Sequence, residues 1–175
     1  MGKEIEYKFL VDNEVAQVLA RQAVINGVVP ETLVQGYLNE SGMTTRVRLV
    51  GHDRAFLTLK TRANGISRGE WEYEIPREDG NELLKQCDSR IVAKVRYHLV
   101  VGDHTWDLDI YAGALQGLAT AEVELASEDE AFVRPGWVGR DISTEGEYTN
   151  EALARAGLPP HAETLETTGR PLNLG

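Results

Sequence analysis

Two glutamates and a lysine occupy alternate positions near the start of the chain: Glu4, Glu6 and Lys8 in KEIEYKFLV. The same spacing returns with Arg46 and Arg48, Lys60 and Arg62, Glu70, Glu72 and Glu74, Lys94 and Arg96, Asp107 and Asp109, and Glu122 and Glu124. Carboxylates supply the oxygen ligands that hard divalent cations prefer, and Arg and Lys supply donors for phosphate oxygens. Held in one enclosure, the two sets describe a metal–polyphosphate site. The purity of charge within each pair is the unusual feature. Two like charges about 6 Å apart repel by roughly 3 kcal/mol at an effective dielectric of 20, so such pairs need counter-charges from one another or from a ligand.

A period of two places side chains on opposite faces of a strand. KEIEYKFLV, TLVQGYLNE, TTRVRLVG, AFLTLKTR, RGEWEYEIP, RIVAKVRYHLV, TWDLDIY and LATAEVELA therefore read as eight strands, joined by short turns that favour antiparallel neighbours. Their second face carries Ile5, Tyr7, Val47, Leu49, Leu57, Leu59, Trp71, Tyr73, Val95, Tyr97, Trp106, Leu108, Val123 and Leu125. NEVAQVLARQAVIN has helical apolar spacing with Asn13 as the expected cap, and GNELLKQC and TNEALARAG read as shorter helices. Ser127 and Glu130 form a capping-box pattern that predicts a further short helix in SEDEAF. Trp71, Tyr73 and Trp106 are expected to pack between strands and helices, and the aromatic residues that can be placed all fall on the outward parity. Two architectures satisfy the pattern. One is a sheet with helices on its apolar face and water on its charged face; the other is a closed barrel with the charges inside.

Length and composition bound the remainder. A chain of 175 residues with 42% hydrophobic content can bury one core. One domain is expected over residues 1–158, followed by an irregular tail at 159–175. A net charge of −10 repels nucleic acid and anionic membranes, so a phosphate-rich ligand needs a local basic site. No stretch approaches the roughly 20 apolar residues of a membrane span. Cys87 is the only cysteine, which suits a reducing compartment, and the cytoplasm is the expected location. The four histidines show no metal-ligand spacing and read as ordinary surface or core residues. Walker A, Rossmann and serine-hydrolase patterns are absent.

Glu4-x-Glu6-x-Lys8 resembles the signature of the CYTH superfamily, the triphosphate tunnel metalloenzymes. The likeness continues in order through QGYL (35–38), TRVR (45–48), LTLK (57–60), RGEWEYEI (68–75), KVRY (94–97), WDLDIY (106–111), AEVEL (121–125) and YTNEALA (148–154). It implies an all-β-dominated α+β fold: an eight-stranded antiparallel closed barrel, with helices outside and the charges lining a tunnel. By the resemblance, Lys8, Arg46, Arg48, Lys60, Lys94 and Arg96 bind triphosphate. Glu4, Glu6, Asp109, Glu122 and Glu124 hold Mg²⁺ or Mn²⁺, and Glu4, Glu6 and Lys8 form the catalytic set. Glu70 and Glu72 are further lining acids, while Asp141 in GRDIS (139–143) stands where the family often has a glutamate. The implied activity is divalent-metal-dependent hydrolysis of a small-molecule triphosphate, foremost inorganic tripolyphosphate. The alternatives are a class IV-type adenylyl cyclase, a thiamine triphosphatase, or a non-catalytic polyphosphate-binding module. A monomer or homodimer is expected.

Overall fold

The structure is a computed structural model that describes residues 2–39, 41–88 and 90–160. In chain order its elements are β1 Glu4–Leu10, α1 Asn13–Ile25, β2 Glu31–Tyr37, β3 Thr44–Val50, β4 Arg54–Lys60, β5 Ser67–Arg68, β6 Glu70–Ile75, α2 Arg77–Lys85, β7 Ile91–Val101, β8 His104–Tyr111, β9 Ala119–Glu124 and α3 Asn150–Ala156. All the strands join one antiparallel sheet in the order β5-β1-β9-β8-β7-β2-β3-β4-β6. The sheet curls into a nearly closed barrel. Its two ends, β5 and β6, do not pair with each other, and this leaves one unsealed seam.

Nine strands stand where eight are expected. The extra one, β5, pairs Ser67 with Ile5 and Arg68 with Glu4; two residues are too short to show a period. The open seam corrects the expected full closure. It is laced by charge, because Lys60 of β4 contacts Glu4 of β1 at 3.0 Å and Glu70 of β6 at 2.8 Å.

Register carries the two-faced pattern into three dimensions. Outward residues Ile5, Phe9, Trp106, Leu108, Ala121 and Val123 form a core with Ala16 of α1 and with Val138, and partly buried Phe132 and Trp137 pack on it. Trp106 is ringed by Phe9, Phe132 and Trp137 at centroid separations of 5.6–5.9 Å. Fully burying a large apolar side chain of this kind contributes about 1.5–3 kcal/mol. A second core joins Leu10, Val92 and Tyr111 to Leu115, Leu118, Ile142, Tyr148 and Leu153. Leu10, Val92 and Tyr111 share the inward parity of Lys8, Lys94 and Asp109. The barrel interior thus turns from charged to apolar at that end, where α3 covers it. On the opposite wall α2 sits close to β4: a Cβ on Gly80 would lie 2.5 Å from that of Ala55.

Local expectations shift in three places. Asp12, not Asn13, caps α1, its Oδ1 accepting from the amides of Glu14 and Val15. SEDEAF forms a turn, not a helix, because Glu130 is spent on the Ala126 amide and on His104 Nε2 instead of the first turn of a helix. Trp71 and Tyr73 are 39% and 57% exposed, since α2 packs on β3 and β4 and, among the described residues, no helix packs closely on β6. The expected tail beyond Pro160 lies outside the described residues, and among the described residues no helix is long and apolar enough to cross a membrane.

Candidate active site

The inward faces enclose a cavity of about 610 Å³. Glu4, Glu6, Lys8, Arg46, Arg48, Lys60, Arg96, Glu122 and Glu124 all line it, together with Glu70 and Glu72. Alternation alone brings these side chains inward; barrel curvature then sets them against one another.

The β1–β9 wall carries four carboxylates, Glu4, Glu6, Glu122 and Glu124, with Glu6 opposite Glu124 and Lys8 opposite Glu122. Glu4 is held by Lys60 and by Arg68 Nε at 3.1 Å. Burial works against its charge, yet Lys60, Glu70 and Arg68 lower its pKa to about 2. Glu6 has the opposite fate. Burial, with the charges of Glu122 and Glu4 beside it, raises its pKa to about 8. Glu124 is also raised, by burial and by Glu4 and Glu70.

Beside this wall lies a closed ionic network. Lys94 Nζ donates to Asp109 Oδ2 at 2.6 Å, and Arg96 grips the same carboxylate through Nε at 2.7 Å and Nη2 at 2.8 Å. Arg96 Nη1 lies 2.9 Å from Asp107 Oδ2, and Nη2 lies 3.5 Å from Glu122. Lys8 Nζ donates to the Tyr148 carbonyl at 2.9 Å and faces Glu122 at 3.4 Å. Burial opposes the charge of Asp109, but Arg96 and Lys94 hold its carboxyl far below the usual range. Burial depresses the Lys94 ammonium. Neither Lys94 nor Asp109 has any exposed side-chain surface, and neither lines the cavity. Both oxygens of Asp109 already serve the two cations, so its place here is to orient them.

The β2–β3 wall is different. Arg46 Nη2 donates to Thr58 Oγ1 and meets Glu72 at 3.2 Å, while its Nε is buried without a partner. Arg48 Nε donates to Gln35 Oε1 at 2.9 Å, and among the described residues no carboxylate pairs with it. Burial first, then repulsion from Arg46 and Arg96, lowers its pKa to about 10. Gln35 Nε2 in turn donates to Tyr37 Oη at 2.8 Å.

Several positions depart from the sequence reading. Arg62, paired by spacing with Lys60, does not line the cavity, and Glu74 pairs with Arg54 at the surface. Asp141 is exposed and accepts from Ser143, forming a local turn. Tyr37 and Tyr148 line the cavity, against the expectation that aromatics face outward. Arg68, Gln35 and Tyr37 escaped notice as site residues. Inward parity would have found all three, Gln35 and Tyr37 in TLVQGY and Arg68 in RGEWEYEIP, where it shares the face of Glu70 and Glu72. His98 and His104, read as ordinary, contact carboxylates on both sides or one: His98 bridges Asp107 and Glu31 at 2.7 and 2.9 Å, and His104 meets Glu130 at 2.8 Å.

The donor set suits a hard divalent cation. The Glu6 carboxylate makes no hydrogen bond or ion pair among the described residues, and its raised pKa marks a carboxylate short of positive charge. Glu124 beside it is similarly raised. No three described acidic, His or Cys side chains form a cage for a metal on their own. Mg²⁺-like ions commonly bind through one or two carboxylates with phosphate oxygens and water completing the shell.

Residues 2–155 match the CYTH domain family. An inorganic triphosphatase of Acetivibrio thermocellus is 37% identical over 157 residues, which cover 89% of this chain and 95% of that protein. One from Nitrosomonas europaea is 34% identical over 158 residues, covering 86% and 96%. A crystal structure of an inorganic triphosphatase superposes with a TM-score of 0.59 at 32% identity, covering 86% of this chain and 93% of the other. The ordered Glu-x-Glu-x-Lys strand, the inward charge pairs and the near-closed barrel have a common origin: this chain belongs to the CYTH family.

Proposed function

We propose that the protein is a divalent-metal-dependent triphosphatase that hydrolyses inorganic tripolyphosphate to diphosphate and phosphate, with Mg²⁺ or Mn²⁺ as the metal. The observation that carries this reading is the facing of two unneutralised groups across one cavity. Among the described residues, Glu6 has no ion-paired cation, and Arg48 has no ion-paired anion. A metal–triphosphate complex supplies both at once.

Phosphoryl transfer asks the protein mainly for positioning and charge neutralisation. Arg46 and Arg48 take phosphate oxygens on the β2–β3 wall, where the Arg46 Nε and the Arg48 fork have donors to spare. Lys8 and Arg96 face them from the β1 and β7 side, aimed by Tyr148, Glu122, Asp107 and Asp109. Lys60 lies between Glu4 and Glu70 and is shared with the phosphate chain. Glu4, Glu6, Glu122 and Glu124 would hold the metal. When bound, it neutralises phosphate charge and lowers the pKa of an attacking water. Water adds to the terminal phosphorus as the bridging P–O bond breaks, and the diphosphate leaves with its charge spread over the Arg and Lys side chains.

None of these groups reads a nucleoside. The expected order of specificity constants is therefore tripolyphosphate above ATP and above thiamine triphosphate. Chromatography of products from parallel reactions with Mg²⁺ or Mn²⁺ tests this directly. Cyclic AMP from ATP, or binding of tripolyphosphate without any turnover, would overturn the hydrolase reading.

A further inference from the structure

His98 sits on the inward parity of β7, directly opposite Asp107 of β8. Its Nδ1 lies 2.7 Å from Asp107 Oδ1 and its Nε2 lies 2.9 Å from Glu31 Oε2 of β2. Ionised carboxylates only accept hydrogen bonds, and a neutral imidazole has one donor nitrogen. A ring held between two carboxylates at these distances meets both needs only as imidazolium. The other oxygen of Asp107 holds Arg96 Nη1. Arg96 thereby has all its nitrogens engaged by Asp107, Asp109 and Glu122, and its direction depends on where Asp107 is pinned.

We propose that His98 is a positioning residue for the reaction: charged, it bridges Glu31 and Asp107 and fixes the Asp107 carboxylate that aims Arg96 into the cavity. The inference rests on Arg96 contacting triphosphate, as in the reading above. The groups facing the ring are Glu31 from β2, Asp107 from β8 and, beyond it, Arg96 from its own strand; Glu122 of β9 acts on Asp107 across the cavity. Burial pulls the imidazole pKa down, but the bonds to Glu31 and Asp107 outweigh it and leave His98 above its ordinary value. When His98 loses its proton, one of the two contacts turns into an acceptor facing an acceptor. In the tautomer that keeps its proton on Nε2, Asp107 loses its bond to the ring, and the guanidinium is left with an anchor that is no longer pinned.

The test is the pH dependence of tripolyphosphate hydrolysis, read together with the ring itself. Imidazole ¹⁵N NMR of the metal-free protein should find His98 protonated at both nitrogens at neutral pH and titrating above the ordinary His range. The wild-type profile of kcat/KM should carry an alkaline limb at that same pH. In Glu31→Gln the ring keeps only Asp107, so both the NMR titration and the limb should move together to lower pH. In His98→Gln the limb should vanish, and kcat/KM at pH 7 should fall about fivefold to tenfold, the scale of a charged hydrogen bond acting indirectly. His98→Arg, with permanent donors, should restore rate at alkaline pH. A limb that stays put in Glu31→Gln while the ring titration moves would overturn the proposal, as would a ring neutral at pH 7. If His98→Gln does not fold, the Glu31→Gln comparison still decides. A wild-type protein without any tripolyphosphate turnover would instead defeat the triphosphatase reading, leaving the NMR result to stand on its own.

Discussion

The two walls of the cavity spend their cations differently. On the β7–β8–β9–β1 side, Lys94, Arg96 and Lys8 are all tied to carboxylates or a carbonyl, at 2.6–3.5 Å. On the β2–β3 side, among the described residues, Arg48 answers only to the neutral amide of Gln35, and Arg46 keeps a buried Nε without a partner. The first wall's cations are satisfied without ligand. Those of the second are satisfied only with one. Paired buried charges specify geometry and cost much when one partner is lost, whereas an unpaired buried cation costs stability until an anion arrives. Stability and binding should therefore separate wall by wall.

The largest effect is expected from Asp109→Asn, which removes the anion shared by Lys94 and Arg96 and keeps the size. Urea unfolding should register a loss of about 3–5 kcal/mol; a loss within ~0.5 kcal/mol would erase the distinction between the walls. Arg48→Gln should do the reverse. Loss of one preorganised donor costs about 10²–10³ in rate, so kcat/KM for tripolyphosphate should fall by that order while the melting temperature holds or rises. A stability loss comparable to that of Asp109→Asn would place Arg48 with the structural charges.

Ligand stabilisation sharpens the same contrast. Tripolyphosphate with Mg²⁺ at about 100 times Kd should stabilise the wild type by about 2.7 kcal/mol, and the gain should shrink in Arg48→Gln, as measured by thermal shift. A smaller effect concerns Glu6, whose folded pKa of about 8 exceeds its ordinary 4.5 through burial and the Glu122 and Glu4 charges. The folded state binds the proton more tightly than the unfolded one, so its contribution is present below pH 4.5 and is lost as pH rises through 8. Metal-free protein should accordingly lose stability across that window, and Glu6→Gln should flatten the slope. Added Mg²⁺ should flatten it as well. At the far end of the scale, Arg54→Ala removes a half-exposed ion pair with Glu74 and a surface contact with the Phe56 ring, and calorimetry should find a change within about 1 kcal/mol.

What the sequence determined by itself is the alternation. A strand sends every second side chain to one face whatever its neighbours are, so Glu4, Glu6, Lys8, Arg46, Arg48 and Arg96 were legible as one charged face, and Ile5, Trp106 and Val123 as the face that helices cover. Parity was equally informative for Tyr37 and Gln35, but a face sorted by charge passes over neutral groups. Tertiary structure alone decided the partners. Which carboxylate meets which cation depends on strand order, register and curvature, and those follow from pairings far apart in the chain, such as Glu4 with Arg68 or Lys8 with Glu122. The same distance effect explains β5 and the open seam: two residues carry no period, and closure depends on how the sheet's last edges meet. It also explains why Asp109 and Lys94, inward by parity like the rest, sit beneath the cavity wall while Glu6 and Arg48 face the ligand space. Depth along a barrel is a property of the assembled sheet, not of any one strand.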